Sequence, residues 1–87
     1  MGKMIIARAK VAAGEWNGIY IDDVLVLQGL AETILPFTVA KCMIDYQVTE
    51  VELKKVNSDW WYDELPEKAR LPGNILKVKW EQETWGK

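Results

Sequence analysis

The sequence predicts a small, mainly β domain with five or six short strands in a strongly bent sheet or barrel, plus one or two short helical turns. Three observations support this class. The chain has 87 residues, a length that suits a single hydrophobic core. Several short segments alternate between apolar and polar residues, which is the period of a strand. Turn-forming residues separate these segments at short intervals, as they do in small all-β folds.

The first predicted strand covers residues 4–12, where apolar residues alternate with Arg8 and Lys10. A period of two residues is typical of a strand that buries one face and exposes the other. We therefore expect the exposed face of this strand to be basic.

The strongest turn signal is the pair Asn17-Gly18. Both residue types adopt positive φ angles readily, as the two central positions of a type I′ hairpin turn require. The sequence therefore predicts a hairpin turn at this pair and a second strand over residues 19–21. Asp22 and Asp23 either bend that strand or connect it to the next one.

A third strand is expected at residues 24–27, a run of four apolar residues with no polar face. Such a run is typical of a strand that is covered on both sides, within a small barrel or beneath an oligomer contact. It is therefore also a candidate strand for self-association.

The segment at residues 33–46 fits two periods. If it is a helix, Pro36 occupies the first turn, where proline is favoured, and an apolar stripe forms from Val39, Cys42, Met43 and Tyr46. If it is a strand, one face carries Thr38, Ala40, Cys42, Ile44 and Tyr46. Its β-branched and aromatic residues favour the strand.

Residues 48–56 alternate clearly and predict a strand with one buried and one charged face. The buried face is expected to carry Thr49, Val51 and Leu53. Residues 57–59 suit a turn and a helix N-cap, so short helical turns are expected between residues 58 and 71. The last predicted strand covers residues 75–80.

Short strands separated by frequent turn signals are characteristic of small barrels, so we expect an SH3-like or OB-like arrangement. An α+β arrangement is the alternative if residues 38–46 form a helix. We expect one compact domain over residues 1–80 and a short C-terminal tail over residues 81–87.

The composition argues against several classes of function. The chain has no histidine, which excludes Ser-His-Asp and Cys-His nucleophiles and histidine-ligated zinc. Its single cysteine, Cys42, cannot form an intrachain disulfide. The acidic residues lack the spacing of a metal loop. We therefore predict a protein that is not an enzyme and that uses no cofactor and no metal.

The charge and hydropathy of the chain bear on its location and partners. No stretch approaches the roughly 20 apolar residues that span a bilayer, so no membrane association is expected. The formal net charge of −2 argues against a broad phosphate-binding surface. With a single cysteine, these features predict a soluble protein of the reducing cytoplasm.

Trp60, Trp61 and Tyr62 form the most unusual local feature, because three adjacent large aromatic residues cannot all point into one core. Aromatic residues dominate binding hot spots. With Trp85 in the tail, they predict a non-enzymatic protein-binding or assembly module, such as a homo-oligomeric accessory or structural protein of a virus or mobile element. The alternative interpretation is that these residues close one end of the barrel.

A second hypothesis is that the protein binds single-stranded nucleic acid. Trp61 and Tyr62 would stack on bases, and a basic strip would contact phosphates. Solvated strand faces explain the same cations equally well. The strip would comprise Arg8, Lys54, Arg70, Lys77 and Lys79.

Overall fold

A computed structural model of the chain describes residues 2–11, 14–57, 60 and 71–81. Its centre is a four-stranded sheet in the order β3-β2-β1-β4. The first three strands pair antiparallel in succession, and the fourth pairs parallel to the first. The strands are β1 (Gly2–Val11), β2 (Gly14–Ile21), β3 (Val24–Leu30) and β4 (Val48–Lys55).

The mainly β class is confirmed. The sheet built by the described residues is open and contains four strands, so it does not support the predicted barrel of five or six strands. The outer strands β3 and β4 lie at opposite edges instead of pairing with each other.

A helix stands where the sequence favoured a strand. Residues 36–45 form α1 (Pro36–Asp45), which connects β3 to β4 after a short 3-10 helix at Ala31–Thr33. The expected strand over residues 38–46 is therefore wrong, and the alternative, a helix with Pro36 in its first turn, is correct. Tertiary packing explains the outcome, because helical spacing directs Val39 and Cys42 onto the core around Met4 and Ile19.

The hairpin turn lies elsewhere than expected. Asn17 and Gly18 are inside β2, where they pair with Arg8 and Ala7 of β1. The tight turn between β2 and β3 is formed by Asp22 and Asp23, whose φ angles are 48° and 76°. Gly18 serves another purpose, since a Cβ at this position would overlap Cδ1 of Leu71.

Two further expectations are wrong. β3 is an edge strand whose residues are half-buried or exposed, so it is not covered on both sides. The last predicted strand is replaced by a 3-10 helix at Ile75–Lys77 and one antiparallel bridge between Val56 and Trp80. Residues 75–78 cross one face of the sheet, and the chain pairs with the edge of β4 at the Trp80 bridge.

Residues 71–81, which we call the strap, run across one face of the sheet from β3 to β4. At β3, the N–H of Leu25 donates to the carbonyl of Gly73 at 2.8 Å, and the N–H of Ile75 donates to Asp23 at 2.9 Å. At β4, the N–H of Asn57 donates to Lys79 and the N–H of Glu81 donates to Lys55, both at 2.8 Å. The strap is therefore bonded to both edges of the sheet.

The sheet face beneath the strap, here the strap face, holds the larger core. Leu71, Ile75 and Val78 of the strap are buried there. They join a cluster with Tyr20 and residues of β1. The members contributed by β1 are Ile5, Ala7 and Ala9.

Polar contacts fix the strap in place. The hydroxyl of buried Tyr20 donates to the carbonyl of Pro72 at 2.6 Å. The side-chain carbonyl of Gln28 accepts from the Trp16 indole at 3.0 Å and from the N–H of Leu71 at 2.8 Å. Burial raises the pKa of the Tyr20 phenol to about 12, so Tyr20 stays neutral at ordinary pH.

The opposite sheet face, here the helix face, is covered by α1. Its buried residues are Met4, Ile19 and Ile21, and α1 packs against them through Val39 and Cys42. Most helical turns expected between residues 58 and 71 lie outside the described residues. At the start of that range the N–H of Trp60 donates to the side-chain oxygen of Asn57 at 2.9 Å, as the predicted N-cap requires.

Candidate protein-binding surface

The outer side of α1 is apolar and exposed. Phe37 and Ile44 are 75% and 76% exposed, and they lie seven residues apart, so both project from the same side of the helix. Val39 and Cys42 occupy the side that packs on the sheet. A helix that is apolar on both sides is normally covered on both sides, so this outer side is a candidate binding surface.

Other exposed apolar residues surround this pair. Leu35 precedes the helix, Tyr46 follows it, and Met43 lies in its last turns. The two charged residues of α1, Lys41 and Asp45, form an ion pair of 3.2 Å, so neither charge is unpaired. We call the following set the α1 surface: Leu35, Phe37, Met43, Ile44 and Tyr46.

β4 presents a second apolar feature, and here a prediction is corrected. Thr49, Val51 and Leu53 were expected to be buried, but all three are exposed, with Leu53 at 62%. Val51 and Leu53 share the helix face with their register partners Met4 and Ile6. They are exposed because α1 covers the centre of this face, around Met4, and not the outer edge of β4.

The predicted aromatic cluster is only partly described. Trp60 is half-buried and packs against the core of the strap face. Trp61, Tyr62 and Trp85 lie outside the described residues, so their role in partner binding stays a prediction. The side chain of Trp60 contributes to the packing of the core.

Two of the predicted nucleic-acid-binding cations have partners in the structure. The Arg8 guanidinium donates to both carboxylate oxygens of Glu15, at 3.0 and 3.2 Å. This hydrogen-bonded pair lowers the pKa of the Glu15 carboxyl and raises the pKa of Arg8. The Nζ of Lys54 lies 4.7 Å from the ring centroid of Trp80, a cation–π distance.

The cations are also divided between the two sheet faces. Arg8 is the register partner of Lys55 and shares its face, so the side chain of the intervening Lys54 projects to the other face. Lys77 and Lys79 are exposed on the strap. Arg70 lies outside the described residues. The structure therefore brings Arg8 beside Lys55 and does not align it with Lys54.

A cleft of about 220 Å³ lies at the end of the sheet where β1 and β4 finish. Three cations, Arg8, Lys10 and Lys55, line it together with two carboxylates, Glu15 and Glu81. The carboxylates offset much of the positive charge. The cleft combines charges of both signs, so it favours a polar ligand.

No group of three or more potential metal ligands occurs among the residues that the structure describes. Within the same residues, no helix is both long enough and apolar enough to cross a membrane. Comparisons of this chain with protein-family models, with curated proteins and with solved structures found no match.

The α1 surface was missed at the sequence level because residues 38–46 were read with the period of a strand. The signal was present. With a helical period, Val39 and Cys42 fall on one side, and Phe37 and Ile44 fall on the opposite side. Met43 and Tyr46, which were predicted in the same stripe as Val39 and Cys42, are exposed instead. Large apolar residues on both sides of a helix indicate that the side facing away from the core contacts another surface.

Proposed function

We propose that this protein is a non-enzymatic assembly module whose α1 surface binds a second copy of the chain. The observation that carries the proposal is the exposure of Phe37 and Ile44 on the outer side of α1. Burying one large apolar side chain contributes roughly 1.5–3 kcal/mol. Both residues occur on each copy, so a paired surface gains this contribution several times.

The arrangement of the α1 surface supports a symmetric pair. When two α1 helices pack antiparallel about a twofold axis, Phe37 of each copy meets Ile44 of the other. Ala40 lies near the middle of this contact, where its small side chain allows the helices to approach closely. Lys41 and Asp45 already neutralise each other within one chain, so pairing does not require an unpaired charge to be buried.

Sedimentation velocity across a wide concentration range tests the proposal. We expect the unmodified protein to associate with increasing concentration, and both Phe37→Ser and Ile44→Ser to weaken association at least tenfold. Leu76→Ser is the matched control, because Leu76 is an apolar residue of the strap that is 82% exposed. It should associate like the unmodified protein.

Two results would contradict this function. One is a protein that sediments as a monomer at every concentration. The other is association that persists undiminished in Phe37→Ser and Ile44→Ser. Association lost equally in Leu76→Ser would also count against a specific role for α1.

The predicted aromatic cluster of Trp60, Trp61, Tyr62 and Trp85 remains a proposed contact for a different protein partner. Excess aromatic residues in a chain of this size support it. A pull-down with Trp61→Ala, compared with the unmodified protein, should lose partners that Phe37→Ser retains. Identical partners for Trp61→Ala and the unmodified protein would overturn this contact.

A second candidate function is the binding of single-stranded nucleic acid at the cleft. The observation in its favour is that Arg8, Lys10 and Lys55 line one polar cleft. Oligonucleotide binding should then quench tryptophan fluorescence and weaken steeply as salt is raised. Lys10→Gln combined with Lys55→Gln should abolish the quenching, and no quenching at low salt in the unmodified protein would exclude this function.

A further inference from the structure

The cleft lies where the chain segments of β1 and β4 separate. The N–H of Val56 donates to the carbonyl of Arg8 at 2.9 Å, which continues the parallel pairing one residue past the end of β4. The next bond of this segment is on its other side, where the N–H of Asn57 donates to the carbonyl of Lys79 at 2.8 Å. In the described part of the chain, no residue after Val56 bonds to β1, so a gap opens between the two segments.

Two backbone groups face this gap. Arg8 directs its carbonyl towards β4, and backbone groups alternate in direction along a strand, so Lys10 directs its N–H the same way. Val56 directs its carbonyl, like its N–H, towards β1. No described residue bonds to either group, and both residues line the cleft together with Ala9. The floor of the cleft therefore offers one hydrogen-bond donor and one acceptor.

Three cationic side chains surround this floor. Arg8 and Lys55 are register partners, and Lys10 lies two residues beyond Arg8, so all three side chains project to the same face of the sheet. Neither lysine forms an ion pair with another described residue. Both lysines are exposed, so their ammonium groups are available to a ligand.

The carboxylates of the cleft leave an excess of positive charge. Both carboxylate oxygens of Glu15 accept from Arg8, at 3.0 and 3.2 Å, so these two charges neutralise each other. A guanidinium has five N–H donors, and this pair uses two nitrogens of Arg8, which leaves donors for a ligand. The other carboxylate, Glu81, stands against two lysines. One positive charge is therefore in excess, and it attracts an anion.

We propose that the cleft binds a small phosphate monoester that also carries a hydroxyl group. The donors approach from the floor, from Arg8 and Lys10 on β1, and from Lys55 on the opposite side of the gap. A carboxylate holds its two oxygens in one plane, whereas a phosphoryl group directs three strong acceptor oxygens to different sides. The carbonyl of Val56 has no donor among the described residues, and a hydroxyl of the ligand would supply one.

The size of the cleft suits a compact ligand. Its volume of about 220 Å³ corresponds to about seven waters at roughly 30 Å³ each. A phosphorylated three-carbon alcohol has a comparable size. Such a molecule reaches the lysines with its phosphate while its hydroxyl groups stay close to the floor.

The flanking carboxylates favour a single phosphate group over a nucleic-acid strand. Glu15 lies on β2 as the register partner of Lys10, and Glu81 lies on the strap, where its N–H bonds to Lys55. The cations are therefore placed between two carboxylates across the sheet. A nucleic-acid strand carries a phosphate on every nucleotide, so the phosphates next to a bound one would approach these carboxylates. A monoester brings only one phosphate and avoids this repulsion.

An NMR titration of the full chain with glycerol 3-phosphate tests the proposal. We expect a saturable shift of the Lys10 amide, because its N–H gains a charged acceptor. The amide of Ile19, in the central strand β2, is the internal control and should not shift. Inorganic phosphate should bind more weakly because it lacks the alcohol groups, and glycerol should not bind because it lacks the phosphate.

A pair of lysine variants tests the position of the site. Lys55→Gln removes a cation of the cleft, and we expect it to raise the Kd for glycerol 3-phosphate by about fivefold or more. Lys77→Gln is the matched control, because it makes the same change of charge at an exposed residue of the strap that does not line the cleft. It should bind like the unmodified protein.

Four results would overturn the proposal. The first is the absence of a saturable shift of the Lys10 amide. The second is equal weakening in Lys55→Gln and Lys77→Gln, which would show unspecific attraction by charge. The third is inorganic phosphate that binds as tightly as glycerol 3-phosphate. The fourth is an oligothymidylate that binds more tightly than glycerol 3-phosphate at equal phosphate concentration, which would assign the cleft to nucleic acid.

This site goes beyond the proposed assembly through the α1 surface and is tested independently of it. Phe37→Ser should bind glycerol 3-phosphate like the unmodified protein, and Lys55→Gln should sediment like it. Failure of the titration would therefore leave the sedimentation result intact. Failure of self-association would likewise leave the titration unchanged.

Discussion

The two faces of the sheet are covered in different ways. The strap covers one face with an irregular segment that is hydrogen-bonded to both sheet edges, and Tyr20, Ala7 and Ala9 beneath it are almost fully buried. The helix covers the other face without reaching the outer edge of β4, and its own outer side is apolar. The strap therefore completes one core, whereas α1 completes the other core and leaves its own outer side exposed.

The strongest test of this difference compares two leucines of the strap. Leu71 is buried on the strap face, and Leu76 is exposed to solvent. We expect Leu71→Ala to lower the free energy of unfolding by roughly 2–5 kcal/mol, through lost burial and a residual cavity. Leu76→Ala should change it by less than about 0.5 kcal/mol in the same urea titration. Similar losses for both would mean that the strap does not seal a core.

Alkaline pH should lower the free energy of unfolding, because it ionises Tyr20 in the core of the strap face. Burial raises the pKa of Tyr20 to about 12, from an ordinary value of 10.0. A raised folded-state pKa contributes stability that is complete below the unfolded pKa and is lost as the pH rises through the folded one. We therefore expect the free energy of unfolding to fall by up to about 3 kcal/mol between roughly pH 10 and 12.

Tyr20→Phe is the control for this pH dependence. It keeps the buried ring and removes both the ionisable group and the hydrogen bond to Pro72. Its stability should be lower at neutral pH by about 1 kcal/mol and should lack the tyrosine-dependent decline. A decline of the same size in Tyr20→Phe would assign the effect to other groups.

The strap lies so close to β2 at Gly18 that this position should tolerate little added side-chain volume. A Cβ at Gly18 would overlap Cδ1 of Leu71, so we expect Gly18→Ala to destabilise the fold by about 1–3 kcal/mol. In a double-mutant cycle with Leu71→Ala this loss should shrink, because the shortened side chain removes the overlap. Additive losses in thermal unfolding would show that Gly18 and Leu71 do not meet.

The smallest expected effect concerns the ion pair between Arg8 and Glu15. The bond to Arg8 lowers the pKa of Glu15, so the stability it contributes is present at neutral pH and fades as the pH falls through the folded-state pKa. Both side chains are more than a third exposed, and exposed pairs contribute about 0–1 kcal/mol. Glu15→Gln should therefore be slightly less stable at pH 7, and the difference should disappear as the pH falls through the folded-state pKa of Glu15. A large loss at pH 7 would show stronger coupling.

The local residue pattern was sufficient to predict strands β1 and β4 and the helix cap at Asn57. Alternation predicted β1 and β4 within one or two residues at most ends, because a half-buried strand requires only a period of two. The capping role of Asn57 also followed from its side chain. The turn at Asp22 and Asp23 was noted as a connection, but its signal was weaker than that of Asn17-Gly18.

Tertiary contacts decided the rest. Gly18 is explained by Leu71, which lies 53 positions later and passes directly above it. Residues 36–45 form a helix because Val39 and Cys42 have a core to cover, and intrinsic propensity does not include this tertiary contact.

The residue pattern alone therefore predicts a mainly β chain with two alternating strands and no histidine chemistry. Tertiary packing determines that residues 71–81 form the strap and that Leu53 and the outer side of α1 stay exposed. Burial depends on which segments cover a face. An alternating pattern specifies that a face can be buried, but coverage by a distant segment determines whether it is.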